Sequence, residues 1–179
     1  MLFQEVVQAL LEILGKLLVG LLILRFWALA IGMPARNPLA RFAHTLTDWL
    51  VRPLTRVIPA RGRVDWAALI AAIVVVVLFV VARRALFGLP LPADVLVIGS
   101  LLLLINWSLT LVIWVTLIYV IISWVNPLAP VAPALSMLLQ PMLAPIRRVL
   151  PAIAGIDLSP MVLLIVIYLL QMIVGRLAF

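Results

Sequence analysis

A thirteen-residue stretch that occurs twice constrains this chain more than any other feature. The first copy, residues 53–65, reads PLTRVIPARGRVD, and the second, residues 145–157, reads PIRRVLPAIAGID. Superposed without a gap, they share Pro53/Pro145, Arg56/Arg148, Val57/Val149, Pro59/Pro151, Ala60/Ala152 and Asp65/Asp157. Leu54/Ile146, Ile58/Leu150 and Val64/Ile156 exchange one aliphatic side chain for another. Each copy follows a long apolar run and precedes another. The chain therefore reads as a duplicated unit of apolar span, polar connector and apolar span.

The solvent for those spans is lipid. Hydrophobic residues make up 68% of the 179 and charged residues 11%, whereas soluble domains sit near ~45–50% and ~25%. With a mean hydropathy of +1.37, a soluble fold of this size has no means of hiding the apolar surface. The opening MLFQEVVQALLEIL lacks a basic n-region and its apolar run is too long for a signal peptide, so the first span is expected to remain in the mature protein. The absence of cysteine excludes disulfides, thiolate metal sites and cysteine nucleophiles. A net charge of +7 rests on thirteen bases against six carboxylates. Because the bases flank spans, anionic lipid headgroups rather than nucleic acid are the expected partners.

In order, the first apolar run covers residues 6–31, ends at Gly32-Met33-Pro34 and contains Glu12, Lys16 and Arg25. Glu12 and Lys16 are spaced i,i+4 in the favourable orientation, and Arg25 is expected to snorkel to headgroups. The connector, residues 35–64, places Phe42, Leu46, Trp49, Leu50, Leu54 and Val57 at helical spacing with Arg41, His44, Asp48, Arg52 and Arg56 mostly elsewhere. That predicts an amphipathic interfacial helix kinked or broken at Pro53, with Pro59 and Gly62 turning the chain back. Asp65 is expected to cap a second span over residues 66–81, closed by Arg83 and Arg84. A linker, residues 87–94, leads to a third run over residues 95–125. The second connector, residues 126–156, has its amphipathic part over 134–150. Either Asp157 or Ser159 caps the last span, which runs to about residue 175.

The fold expected is an all-α membrane protein of four transmembrane helices. They form two parallel two-helix repeats, residues 1–86 and 95–179, each with an amphipathic interfacial connector. The connectors carry Arg36, Arg41, Arg52, Arg56, Arg61, Arg63, Arg147 and Arg148, and the other side Arg83, Arg84 and Arg176. That imbalance predicts cytoplasmic connectors and external termini. Two spans per half relate the halves by a pseudo-twofold axis along the membrane normal.

These residues resemble the YggT family of bacterial and plastid membrane proteins. The matching pieces are LILRFW (22–27), Asn37-Pro38, RPLTRVIPARGRVD (52–65), ISW (122–124) and QPMLAPIRRVLPAIAGIDLSPM (140–161). In the first half Thr55 stands where a second arginine is usual, and Trp66-Ala67-Ala68 replaces Leu-Ser-Pro. A symmetric Arg-Arg pair is thus not available to that half. The resemblance implies a bacterial inner-membrane protein without a settled biochemical activity. It also implies an association with tolerance of osmotic or ionic stress, or with assembly of membrane complexes.

Three groups of residues are candidates for function. Arg52, Arg56, Arg147 and Arg148 suit phosphate oxygens of lipid headgroups or a partner protein. Asp65, Asp157 and Ser159 are expected as helix caps, with Arg56–Asp65 and Arg148–Asp157 as ionic clasps; an aspartyl hydrolase pair is the weaker reading. Glu12, Lys16, Asn106 and Gln171 fall in one layer of the half farther from the connectors, either interhelical glue or an ion path. His44 is expected to be solvated, the tryptophans to be interfacial anchors, and either Gly15 and Gly20 or Ala28 and Gly32 to allow close helix contact. No metal or cofactor is expected. The function expected is non-enzymatic, a scaffold or accessory factor engaging anionic lipid, a membrane-protein partner or another copy of itself. The alternative is a small ion channel or transporter subunit.

Overall fold

The computed structural model describes residues 2–58, 62, 64–150 and 157–178. Pro59, Ala60, Arg61, Arg63 and residues 151–156, which complete the duplicated stretch, lie outside the described residues. Those described form six α-helices and no β-strand: α1 (Leu2–Ala30), α2 (Pro38–Thr55), α3 (Trp66–Leu86), α4 (Ser100–Val125), α5 (Ala132–Val149) and α6 (Ser159–Ala178). A π-helical turn, Val95–Gly99, leads directly into α4. Four segments are long and apolar enough to cross a bilayer, namely Leu2–Ala30, Trp66–Leu86, Val95–Val125 and Ser159–Leu177. This is a membrane protein with transmembrane helices.

Local chemistry sets the helix ends. α1 stops at Gly32, whose φ of 73° suits a residue without Cβ. The Gly32 and Met33 N–H groups donate to the Leu29 and Ala28 carbonyls at 2.9 Å, which satisfies carbonyls that the last turn leaves open. Asn37 caps α2 by accepting from the Leu39 N–H at 2.9 Å, with Pro38 in the first turn, where its missing donor costs nothing. Pro53 does not break α2; it sits in the last turn and the helix ends at Thr55. Pro141 and Pro145 lie inside α5, one turn apart on its exposed side, so the carbonyls deprived of a donor share that side.

α3 packs along α1 with α2 against both, and α6 packs along α4 with α5 against both. The bundle is closed by α4 meeting α1 and α3. Two cores result, and neither belongs to one half alone. One joins Val19, Leu22, Val51, Ala68, Ala72, Val76 and Phe79 to Leu104 and Trp107 of α4. The other joins Leu135, Leu138, Leu139, Leu143 and Ile167 to Leu24 and Ala28 of α1 and Ala40 and Ala43 of α2. Burying such side chains contributes roughly 25 cal/mol per Å² of apolar surface. In α2 the buried side is small, Ala40, Ala43, Thr47 and Val51, while Phe42, Leu46 and Trp49 are exposed. The small side lets the α2 backbone approach its neighbours.

Gly15 is a close contact between the halves. A Cβ there would stand 2.8 Å from the tip of the Trp107 ring, whereas at Gly20 the nearest atom, on Leu111, is 3.9 Å away. Gly15→Ala should therefore lower thermal stability in detergent by about 1–3 kcal/mol, the usual range for overpacking. Trp107→Leu should make the same glycine substitution nearly silent, and differential scanning fluorimetry of the two singles and the double checks this.

Candidate functional site

Arg25 does not snorkel. It is 6% exposed and lies inside the connector end of the bundle, held by α2 and by the start of α3. Its Nε donates to Asp65 Oδ2 at 2.9 Å, and its Nη1 donates to Asp48 Oδ1 at 2.6 Å and Thr47 Oγ1 at 3.2 Å. Thr47 in turn donates to the Ala43 carbonyl at 2.7 Å, so its hydroxyl is fixed as an acceptor for the guanidinium. The other carboxylate oxygen of Asp65 accepts from the Ala68 N–H at 3.0 Å and caps α3. One buried carboxylate thus ends a helix and neutralises a charge. Burial is favoured over snorkelling because a planar guanidinium with three fixed acceptors around it is better matched there than among water-exposed headgroups.

His44 stands beside this group, with Nδ1 4.0 Å from Asp48 Oδ1. It is half-buried rather than solvated. Burial pushes its pKa down, Arg25 pushes it the same way, and Asp48 and Asp65 pull back without prevailing. The imidazole is therefore neutral at neutral pH.

In the second half Asp157 is held by Arg147, not Arg148. The Arg147 Nε and Nη2 donate to Asp157 Oδ2 at 3.0 and 2.7 Å, and Nη2 also reaches the Tyr119 hydroxyl of α4 at 3.3 Å. Asp157 Oδ1 accepts from the Ser159 N–H at 2.9 Å, so Asp157 is the capping group of α6 and Ser159 is packed inside. Burial would raise the Asp157 pKa, but the hydrogen bonds from Ser159 and the Arg147 guanidinium outweigh it and hold the carboxyl below its ordinary value. Burial would likewise lower Arg147, and its bonds to Asp157 and Tyr119 raise it instead. Arg52, Arg56 and Arg148 are exposed, with no ion pair among the described residues.

The polar layer in the opposite half of the bundle is assembled from all four spans. Lys16 Nζ and Glu12 Oε1 are 2.6 Å apart. Glu12, Lys16 and Asn106 line one cavity of about 200 Å³ with Gln8, Phe79, Arg83, Leu103, Trp107 and Gly175. Gln171 is next to it rather than in it. Its Nε2 donates to the Asn106 carbonyl at 3.2 Å and to Thr110 Oγ1 at 2.8 Å, which bonds α6 to α4.

A family model described as CCB3/YggT matches this chain twice, over residues 4–86 and 98–178. The chain belongs to the CCB3/YggT family. It is similar to "Uncharacterized protein YggT" of Escherichia coli K12, 37% identical over 152 residues that cover 84% of this chain and 79% of that one. An uncharacterized protein of Vibrio alginolyticus is 38% identical over 162 residues, 87% and 86% of the two chains. One of Pseudomonas aeruginosa is 31% identical over 168 residues, 92% and 85% of the two chains. No solved structure matches.

For this YggT-family chain, sequence reasoning missed the Arg25–Asp48–Asp65 group, Tyr119 and the Phe79–Trp107 pair. Charge balance was the available signal for the first, since Asp48 and Asp65 both belong to the connector end at which Arg25 arrives. Two outcomes follow from the geometry. Asp65→Asn, which deprives a buried guanidinium of a charge partner, should cost about 3 kcal/mol or more in thermal unfolding, and Arg56→Ala within ~0.5 kcal/mol. For Asp157 the folded pKa is depressed, so its contribution is present above the unfolded value and lost as pH falls through the folded one. Asp157→Asn should be less stable than wild type at pH 7, and the difference should begin to narrow only below about pH 4 and close as pH falls through the depressed folded value.

Proposed function

We propose that this protein is a non-enzymatic accessory or scaffold protein of the bacterial cytoplasmic membrane whose connector helices hold anionic lipid headgroups. The observation that carries the reading is the composition of the exposed side of α2. Arg41, Phe42, Leu46, Trp49, Arg52 and Arg56 point away from the bundle together, and Trp49 is 68% exposed. Large apolar rings beside guanidinium groups suit the boundary between acyl chains and headgroups. Trp66 at the start of α3 and Trp124 near the end of α4 are exposed at the same end, as interfacial anchors are. Arg148 adds a second exposed guanidinium site from α5.

On this reading the connectors face the cytoplasm, the termini lie outside, and the two halves are parallel repeats about an axis along the membrane normal. The link to osmotic or ionic stress comes from the family resemblance and is part of the proposal. The carboxylates argue for a non-enzymatic protein, because Asp65 and Asp157 are each committed to an arginine and a helix start. A small channel built on Glu12, Lys16, Asn106 and Gln171 is the second reading, favoured by the cavity. Beneath that cavity Phe79 and Trp107 meet edge to face at 5.0 Å over buried Val19, Leu22 and Val76. Among the described residues, apolar side chains fill the bundle at that level.

Electron paramagnetic resonance of spin-labelled lipids in proteoliposomes tests the lipid reading. Phosphatidylglycerol should associate with the wild type more strongly than phosphatidylcholine. Arg52→Ala/Arg56→Ala/Arg148→Ala should reduce that preference at least several-fold, from roughly 1 kcal/mol per interfacial base. Equal association of both lipids with the wild type would sink the proposal. Ion flux above protein-free vesicles, abolished by Glu12→Gln, would favour the channel.

A further inference from the structure

We infer that the side of α6 that carries Tyr168 is an interface with a second copy of this chain. Tyr168 is the central residue of the span Ser159–Leu177, so at ~1.5 Å per residue its Cα lies ~14 Å from either end. It is 65% exposed, and its hydroxyl has no hydrogen-bond partner among the described residues. A tyrosine side chain is too short to carry that hydroxyl to either headgroup layer, which is where lipid-facing tyrosines gather. Acyl chains offer the group nothing to bond, and a hydroxyl left unpaired in hydrocarbon is costly. Its neighbours on the same side are Met161, Ile165 and Met172, all exposed. The four recur at intervals of 4, 3 and 4 residues, the spacing of a seam along which one helix meets another. Leu163 and Ile167, on the other side, are the buried contacts of α6 with its own bundle.

The duplication supplies the comparison. In the register that superposes Asp65 on Asp157, Tyr168 falls on Val76, Leu164 on Ala72 and Met172 on Val80. Val76 is 0% exposed and packs in one cluster with Leu104 and Trp107 of α4. The first half thus has a helix over this side of α3, whereas the same side of α6 stands open among the described residues. A second copy fits that side because its polar tip is self-complementary. Copies inserted in the same direction hold Tyr168 at the same depth. A twofold axis along the membrane normal then sets each seam residue against its own counterpart. A phenol hydroxyl both donates and accepts, so the two Tyr168 hydroxyls satisfy each other across the axis. Met161 and Met172, unbranched and adaptable, pack the seam on either side of them.

The test uses full-length protein in lipid vesicles. The chain has no cysteine, so each introduced one is a unique label site. Association is read by Förster transfer between donor- and acceptor-labelled Leu128→Cys, a position 92% exposed just after α4, as the protein-to-lipid ratio is lowered. Expected is transfer that falls along a monomer–dimer isotherm. Tyr168→Phe keeps the ring and removes the hydroxyl, which holds nothing within the protomer. It should move the midpoint to a protein density about three- to thirtyfold higher, the range for one interhelical hydrogen bond. Spin labels on Ile165→Cys should show the dipolar broadening that helices packed ~8–10 Å apart produce, and dilution with unlabelled protein should remove it. Labels on Ile173→Cys, similarly exposed but on another side of α6, should show none. Transfer no greater than random mixing at every ratio, broadening as strong at Ile173→Cys as at Ile165→Cys, or an unshifted midpoint for Tyr168→Phe would overturn the inference.

Discussion

A guanidinium buried among apolar helices has to be neutralised where it stands, and Arg25 thereby decides how three elements meet. Its three contacts come from residues 22, 23 and 40 positions away in sequence. Moving α2 outward would strip Asp48 and Thr47 from it. Moving the start of α3 would strip Asp65 and uncap that helix in the same step. Removal of one partner from a buried ion pair typically costs ~3–5 kcal/mol, comparable with the whole net stability of a marginal domain. The small residues that α2 turns inward are a consequence. Only a helix lined with alanine, threonine and valine comes close enough to α1 for a short aspartate to reach the guanidinium.

The duplicated stretch meets the same requirement twice by different means. Asp65 and Asp157 are equivalent, and each accepts from a backbone N–H at a helix start and from an arginine. In the second half the arginine is Arg147, inside the duplicated stretch itself and one residue from the one that matches Arg56. The first half has Thr55 at the corresponding position and takes its guanidinium from α1 instead. What the duplication preserved is therefore the carboxylate and its helix, not the cation. Arg56 and Arg148, which the duplication also keeps, are exposed and pair with no carboxylate among the described residues.

Much of the fold was legible because it is local. Four apolar runs, Gly32 as a stop and Asp65 as a cap depend on a few neighbouring residues, and all stand where the sequence reading placed them. The termini of α1 and α3 extended several residues farther, as frayed boundaries do. Ion pairing was less legible. Arg147 and Arg148 differ by only ~100° around α5, and the choice between them depends on where Tyr119 of α4 comes to rest. For Arg25, snorkelling and burial both suit a position more than a turn from the helix end, and the two carboxylates that decide it arrive from other elements. Trp107 has the same composition as an interfacial anchor; its burial follows from Gly15 on another helix. Glu12, Lys16 and Asn106 were placed in one layer by rise alone and do line one cavity, because depth is a local property in a straight helix even when facing is not.

The charges are distributed unevenly in depth and between halves, and that unevenness has a physical meaning. α1 carries Glu5, Glu12, Lys16 and Arg25, whereas α4 carries no charged side chain and α6 only Arg176 at its end. At the connector end the burial is tight and the cation is arginine, whose Nε and Nη1 meet fixed acceptors in a planar fork. In the opposite half the pair is lysine and glutamate, each about two-fifths exposed, flexible and strongly hydrated. The first arrangement is suited to holding three elements in one register. The second fixes no register, because separation of an accessible pair costs on the order of 1 kcal/mol or less. The second half meets that pair with the Asn106 amide and joins its own helices there through Gln171 and Thr110, so neutral hydrogen bonds stand where the first half places charges.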